Sequence, residues 1–156
     1  MIILSIDPGT IKMGVAVFED EKLVESKQIY FKECKNRNQK LIKTNGVIQN
    51  FVRRYSPDVI LIEEPIFINA KSYRVQCNQI LIIELACWIV DELYKPVMVH
   101  NLTWKAIIGS GKWKGEDVKK FIKKKYHKIF GEDESCAIGI GLACLKDKKR
   151  LIKEEE

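Results

Sequence analysis

The feature that most limits how this chain can fold is its opening run, MIILSIDPGT, residues 1–10. Met-Ile-Ile-Leu and Ile6 have the strand-like, apolar character of a buried strand, and Pro8-Gly9 then turns the chain. Asp7 stands at the end of that strand, where the flanking residues push it toward a core. A carboxylate taken out of water without a partner is costly, so something must compensate it.

The remaining pattern predicts where such a partner comes from. Strands are expected over residues 2–7, 13–18 and 23–31, the last two joined by the polar turn Glu19–Lys22, which makes three antiparallel strands. Asn36 to Tyr55 carries Leu41, Ile42, Val47, Ile48, Phe51 and Val52 near helical period and stops at Ser56-Pro57. Val59-Ile-Leu-Ile62 then reads as a buried strand ending in Glu63-Glu64-Pro65, and the helix-then-strand order implies a parallel crossover. A long helix over 70–93, a short strand over 96–100, a short helical segment over 102–108, a lysine-rich helix over 116–130 and a last helix over 133–145 follow. The charged residues from Lys146 onward are expected to fray. A single domain over 1–150 with a charged tail at 151–156 is the economical division.

With 46% hydrophobic and 31% charged residues the chain is globular, and no apolar run reaches the length of a membrane span. An intracellular protein, off the membrane, is expected. Its net charge of +6 is uneven: Lys112 to Lys128 has lysines far in excess of its two acids, Glu116 and Asp117, which suits a polyanion such as nucleic acid or, more plainly, a solvated helix face. The five cysteines, Cys34, Cys77, Cys87, Cys136 and Cys144, have no CxxC spacing and are odd in number, against a disulfide framework. Cys87 and Cys144 read as inert core thiols, and His100 and His127 lie at no zinc-ligand spacing.

Acids therefore stand at three telling places: Asp7 ends the first strand, Glu63 ends the fourth, and Asp133 starts the final helix. If strand one neighbours strand four, these ends converge. Converging carboxylates repel and take up protons unless a cation sits among them. Oxygen ligands without imidazole or thiolate chemistry favour Mg²⁺, with Mn²⁺ as substitute. Paired divalent ions held by carboxylates are a common device for cutting phosphodiesters, so a metal-dependent nuclease is expected.

Three motifs carry a resemblance: Ser5-Ile-Asp-Pro-Gly-Thr10 with Gly14, Ile62-Glu63-Glu64 with Phe67, and Asp133-x-x-Cys136-Ala-Ile-Gly-Ile-Gly-Leu-Ala143. Together with Lys105-Ala-Ile-Ile-Gly-Ser-Gly111, in this order, they resemble the acidic motifs of RuvC-type Holliday junction resolvases. The resemblance implies a ribonuclease-H-like α/β fold, a five-stranded mixed sheet flanked by helices. It implies a homodimer that nicks the opposed strands of a four-way DNA junction symmetrically, with two Mg²⁺ per active site. A compact member of this kind suits a virus or phage as well as a cell.

By that resemblance Asp7, Glu63 and Asp133 are metal ligands and Lys105 and Lys114 serve the scissile phosphate, with Lys112 able to replace Lys114. Phe67 contacts bases near the crossover, and Lys71, Lys105, Lys112, Lys114 and Lys119 are candidates for the DNA backbone. Glu64 competes with Glu63 as ligand because Pro65 blurs the alignment, and Glu132 and Glu134 lie one residue from Asp133. The apolar stripe Ile80, Ile83, Ala86, Cys87 and Val90 faces either a dimer mate or the chain's own sheet. The largest departure is Cys136, a thiol where the family pattern wants a second carboxylate on the same helix face. Either a natural variant uses Glu134 or water there, or Cys136 is a substitution. A protein that binds branched DNA without cutting it, and a nuclease acting on flaps or on RNA–DNA hybrids, are the competing readings.

Overall fold

A computed structural model describes residues 1–152 of the chain. The first strand, β1 (Ile2–Asp7), pairs antiparallel with β2 (Lys12–Glu19), which pairs antiparallel with β3 (Lys22–Tyr30). Asp20 and Glu21 join β2 to β3 in a two-residue turn with φ of 45° and 69°, the left-handed backbone that a tight hairpin of this twist requires. Helix α1 (Arg37–Tyr55) crosses over to β4 (Val59–Glu63), which lies parallel to β1. Helix α2 (Ala70–Val90) leads to β5 (Val97–Val99), parallel to β4, and the sheet order is β3-β2-β1-β4-β5. Three helices follow: α3 (Asn101–Ile108), α4 (Gly115–Tyr126) and α5 (Glu132–Leu151).

Strand alternation divides the core into two layers. Leu4, Ile6, Ile60 and Ile62 pack with Ile48, Phe51 and Val52 of α1 and with Ile80, Ile83, Ala86 and Cys87 of α2. Ile3 and Leu61 point the other way, to Trp104 of α3, Val118 and Ile122 of α4, and Ala137, Ile138 and Ile140 of α5. Burial on the first side pushes the Cys87 thiol up to about 12, so it stays neutral and inert. Among the described residues no helix is long and apolar enough to cross a membrane.

Three expectations need correction, and one open alternative is decided. The last helix does not end at residue 145: it runs to Leu151 with a break in helical geometry at Asp147, because Leu151 is buried in the α3–α5 layer and anchors it. The charged tail from residue 153 lies outside the described residues. The lysine-rich helix stops at Tyr126, where His127 adopts φ of 54° and turns the chain. The stripe Ile80, Ile83, Ala86 and Cys87 is buried against the chain's own sheet, which leaves Leu81, Leu85, Trp88 and Ile89 as the exposed apolar side of α2. On α1, Ile42 is exposed, and Thr44 occupies the buried position instead. Its hydroxyl donates to Lys40 O at 2.9 Å and accepts from Gln79 Nε2 at 2.8 Å, which makes a polar side chain tolerable there.

Candidate active site

The parallel pairing of β1 with β4 brings their carboxyl ends to the same edge of the sheet. Ile6 is in register with Ile62, so the next residues, Asp7 and Glu63, finish adjacent strands side by side. Both follow residues that face the α1–α2 layer, and alternation turns both toward the α3–α5 layer. That face is the one α5 covers, with Ser5 Oγ donating to Ala137 O at 2.7 Å to tie helix to strand. Gly14, opposite Asp7 on β2, permits the close approach: a Cβ there would lie 1.9 Å from Asp133 O. The first turn of α5 thus lies directly over β1 and β2, bringing Asp133 and Cys136 to the acids.

The acids are close enough to feel one another's charge. Burial pushes the Asp7 carboxyl well above the usual carboxylate range, the charges of Glu63 and Asp133 push it further, and the Cys136 thiol and Lys105 ammonium partly offset them. Burial likewise raises Glu63, opposed by a hydrogen bond from Trp104 Nε1 to Glu63 Oε1 at 2.9 Å and by the charges of Lys105 and His100. Asp133 is raised by burial and held back by Lys12. Cys136, almost fully buried, is pushed well above the usual thiol range by burial and then by Asp7, so it stands in the cluster as a neutral thiol.

Neighbouring acids go elsewhere. Glu64 lines a surface pocket with Lys95, His100 and Arg150 that does not include Asp7. Glu132 lies against the backbone of Gly115 at the start of α4. Glu134 is committed twice, accepting from Ser26 Oγ at 2.7 Å and from Gly131 N at 3.2 Å, so it is held away from the Cys136 position.

Among the sequence-predicted lysines, the structure brings Lys105 to the acids, its ammonium 5.3 Å from the Trp104 ring centroid. Lys112 and Lys114 are exposed on a loop anchored between them by Trp113, whose ring packs on Gly109 and lies 5.3 Å from that of Phe121. Lys119 pairs with Glu116 at 3.7 Å, and Lys71 is exposed on the first turn of α2. Phe67 is 69% exposed on the loop after β4, four residues beyond Glu63. Sequence reasoning passed over Lys12, which faces Asp133, and Trp104, which holds Glu63. Lys12 lies just past the Asp-Pro-Gly-Thr turn and Trp104 just before Lys105, so each was adjacent to a motif already singled out.

Three carboxylates without an imidazole among them suit a hard divalent cation in kind. They are not preassembled around one: among the described residues no three His, Cys, Asp or Glu side chains form a ready-made metal cage. Glu63 is instead tied to Trp104, and the Cys136 thiol faces Asp7.

No protein-family model and no curated protein matches the sequence. Solved structures do. The chain superposes on Thermus thermophilus RuvC with a TM-score of 0.76 at 15% identity, over 96% of this chain and 96% of that one. A second structure, T. thermophilus RuvC in complex with Holliday junction substrate, gives 0.79 at 13% identity, over 96% and 95%. The chain has the RuvC fold. Its five-stranded mixed sheet with helices on both faces is the ribonuclease-H-like architecture, and the likeness covers 96% of the chain.

Proposed function

We propose that this chain is a divalent-metal-dependent endonuclease that nicks four-way DNA junctions and works as a homodimer. The observation that carries the reading is the meeting of Asp7, Glu63 and Asp133 from three remote segments at one corner of a RuvC fold, where the charges of Glu63 and Asp133 both raise the proton affinity of Asp7. Buried acids that repel one another are a liability to the fold, and such strain is tolerated where it serves a site.

Asp7, Glu63 and Asp133 would hold Mg²⁺ or Mn²⁺, with Asp7 central because both other acids act on it. Bound there, such ions supply an activated water and stabilise the leaving oxygen. Cys136 brings a neutral thiol to this ligand set, a poor donor for Mg²⁺, so one ion is held more firmly than two. Trp104 orients Glu63, and Lys105 offers a cation to a phosphate drawn to the acids. Lys112, Lys114, Lys119 and Lys71 supply backbone contacts whose strength falls with salt. Leu81, Leu85, Trp88 and Ile89 provide the apolar face for the second protomer. A DNA substrate places the protein inside a cell, or inside an infected one.

Cys136 also favours a second reading, a junction-binding protein that does not cut. One assay separates the two. A four-way junction, a flap, a linear duplex and an RNA–DNA hybrid are each incubated with the protein and Mg²⁺ or Mn²⁺. Paired nicks on opposed strands of the junction, with ligatable ends, support the nuclease. Tight junction binding without nicks in either metal supports the binding protein, and preferential cutting of the hybrid overturns both.

A further inference from the structure

The first turn of α5 carries Asp133 and Cys136 to Asp7, yet Gly131 at its start has no side chain with which to cap it. A helix start is the part with fewest internal bonds and is the first to fray. This one is held by the sheet. Ser5, Ala16 and Ser26 are in register across β1, β2 and β3, and the serines at the two ends of that row both reach α5. Ser5 Oγ donates to Ala137 O at 2.7 Å, and Ser26 Oγ donates to Glu134 Oε1 at 2.7 Å. Ala16, fully buried between them, is small enough to let the helix down onto the strands. The other oxygen of Glu134 accepts from Gly131 N at 3.2 Å, so one carboxylate joins the helix start to the outer strand of the sheet. In the next row Gln28 lies across from Gly14, and a Cβ on Gly131 would fall 2.0 Å from Gln28 Oε1, so the helix start sits directly on β3.

We propose that Ser26 and Glu134 are positioning residues: their hydrogen bond holds the first turn of α5 in the rotation that presents Asp133 to Asp7, and so sets how tightly this corner binds a divalent ion. The proposal rests on the metal-dependent reading above. The argument is one of helix geometry. The sheet holds α5 at residues 134 and 137, three positions apart and so close to one turn. Two anchors so spaced fix the rotation of the helix about its axis, and with it the direction of the side chains one position earlier, which are Asp133 and Cys136. A hydroxyl donating to a carboxylate at this distance is a charge-assisted bond, about twice as strong as a neutral one. Glu134 thus serves the site through its neighbour, with its own oxygens turned to the strand and to the helix start. Holding Asp133 in place before an ion arrives removes the ordering cost that a frayed turn would meet on binding.

The test measures Mn²⁺ binding to the full chain without DNA, from the electron paramagnetic resonance signal of the free ion. Ser26→Ala should weaken binding about tenfold, the lower end of what is lost when a metal ligand loses a group that orients it. Ser26→Thr, which keeps the hydroxyl, should restore most of the affinity. Glu134→Ala should match Ser26→Ala, and the double variant should bind no more weakly than the weaker single one, because both remove the same bond. In an Asp133→Asn background, which keeps Asp7 and Glu63, Ser26→Ala should have no further effect, because it acts through Asp133. A general loss of stability would weaken binding in either background. Unchanged Mn²⁺ affinity in Ser26→Ala, or an equal loss with and without Asp133, overturns the positioning role while wild-type binding and junction nicking stand. Wild-type protein that neither binds Mn²⁺ nor nicks a junction in Mg²⁺ or Mn²⁺ overturns the metal-dependent reading, and this proposal with it.

Discussion

Trp104 donates its indole N–H to Glu63 Oε1 at 2.9 Å from a fully buried position in the α3–α5 layer. The bond occupies one carboxylate oxygen and fixes the direction of the other. Trp104→Phe keeps most of the packing and removes the donor. Junction nicking should fall about 10–100-fold, and the Mg²⁺ concentration for half-maximal rate should rise, as is usual when a ligand loses its orienting partner. An unchanged rate and Mg²⁺ requirement would remove Trp104 from the site.

Asp7 gives the clearest trade between stability and activity. Its folded carboxyl holds a proton more firmly than the unfolded one does, so above the ordinary carboxylate range the native state binds more protons than the unfolded chain. Metal-free stability therefore falls as pH rises from the unfolded carboxylate pKa through the raised folded one. Asp7→Asn removes the charge without removing the volume. Without metal at neutral pH, the variant should melt about 2–8 °C higher than wild type, the scale of roughly 1–2 kcal/mol in a chain of this size. Its nicking should vanish, and its Tm should depend less on pH. A lower Tm than wild type at neutral pH would contradict the repulsion drawn here.

Cys136→Asp places a carboxylate beside Asp7 on the helix face that already carries Asp133. Mg²⁺-dependent nicking should rise about tenfold or more at limiting Mg²⁺. The metal-free variant should be less stable than wild type, since another buried acid joins the cluster. Unchanged or slower nicking would take position 136 out of metal binding.

Leu81, Leu85, Trp88 and Ile89 lie at i, i+4, i+7 and i+8 on α2 and are all exposed. Light scattering should give twice the chain mass of 18.1 kDa for the wild type and a single-chain mass for Leu85→Glu. Both proteins should retain the same circular dichroism. A wild-type monomer would end the proposal that this face pairs two protomers.

The sheet and its acid ends were legible because strand alternation, the Asp-Pro-Gly turn and the helix between residues 36 and 55 each act locally. Asp7 and Glu63 could be placed together once the parallel crossover was inferred, since register then follows from the chain direction. What the sequence concealed depended on tertiary contact. Glu134 differs from Asp133 through its contacts with Ser26 and Gly131, which join residues far apart in sequence or across a helix start. Leu151 lay within a run of charges that reads as a frayed end, yet one buried leucine carries the helix there. The hydrogen bond from Ile66 N to the side-chain amide of Gln76 spans ten residues, and no periodicity announces such a bond.

The most direct measurement is anomalous diffraction from crystals soaked in Mn²⁺. Manganese density is expected in contact with Asp7 and at least one of Glu63 and Asp133, with ligand distances near the ~2.1 Å typical of small divalent ions. It should be lost in Asp7→Asn crystals. Manganese bound elsewhere, with none at these carboxylates, would contradict the assignment of this corner of the sheet as a metal-dependent active site.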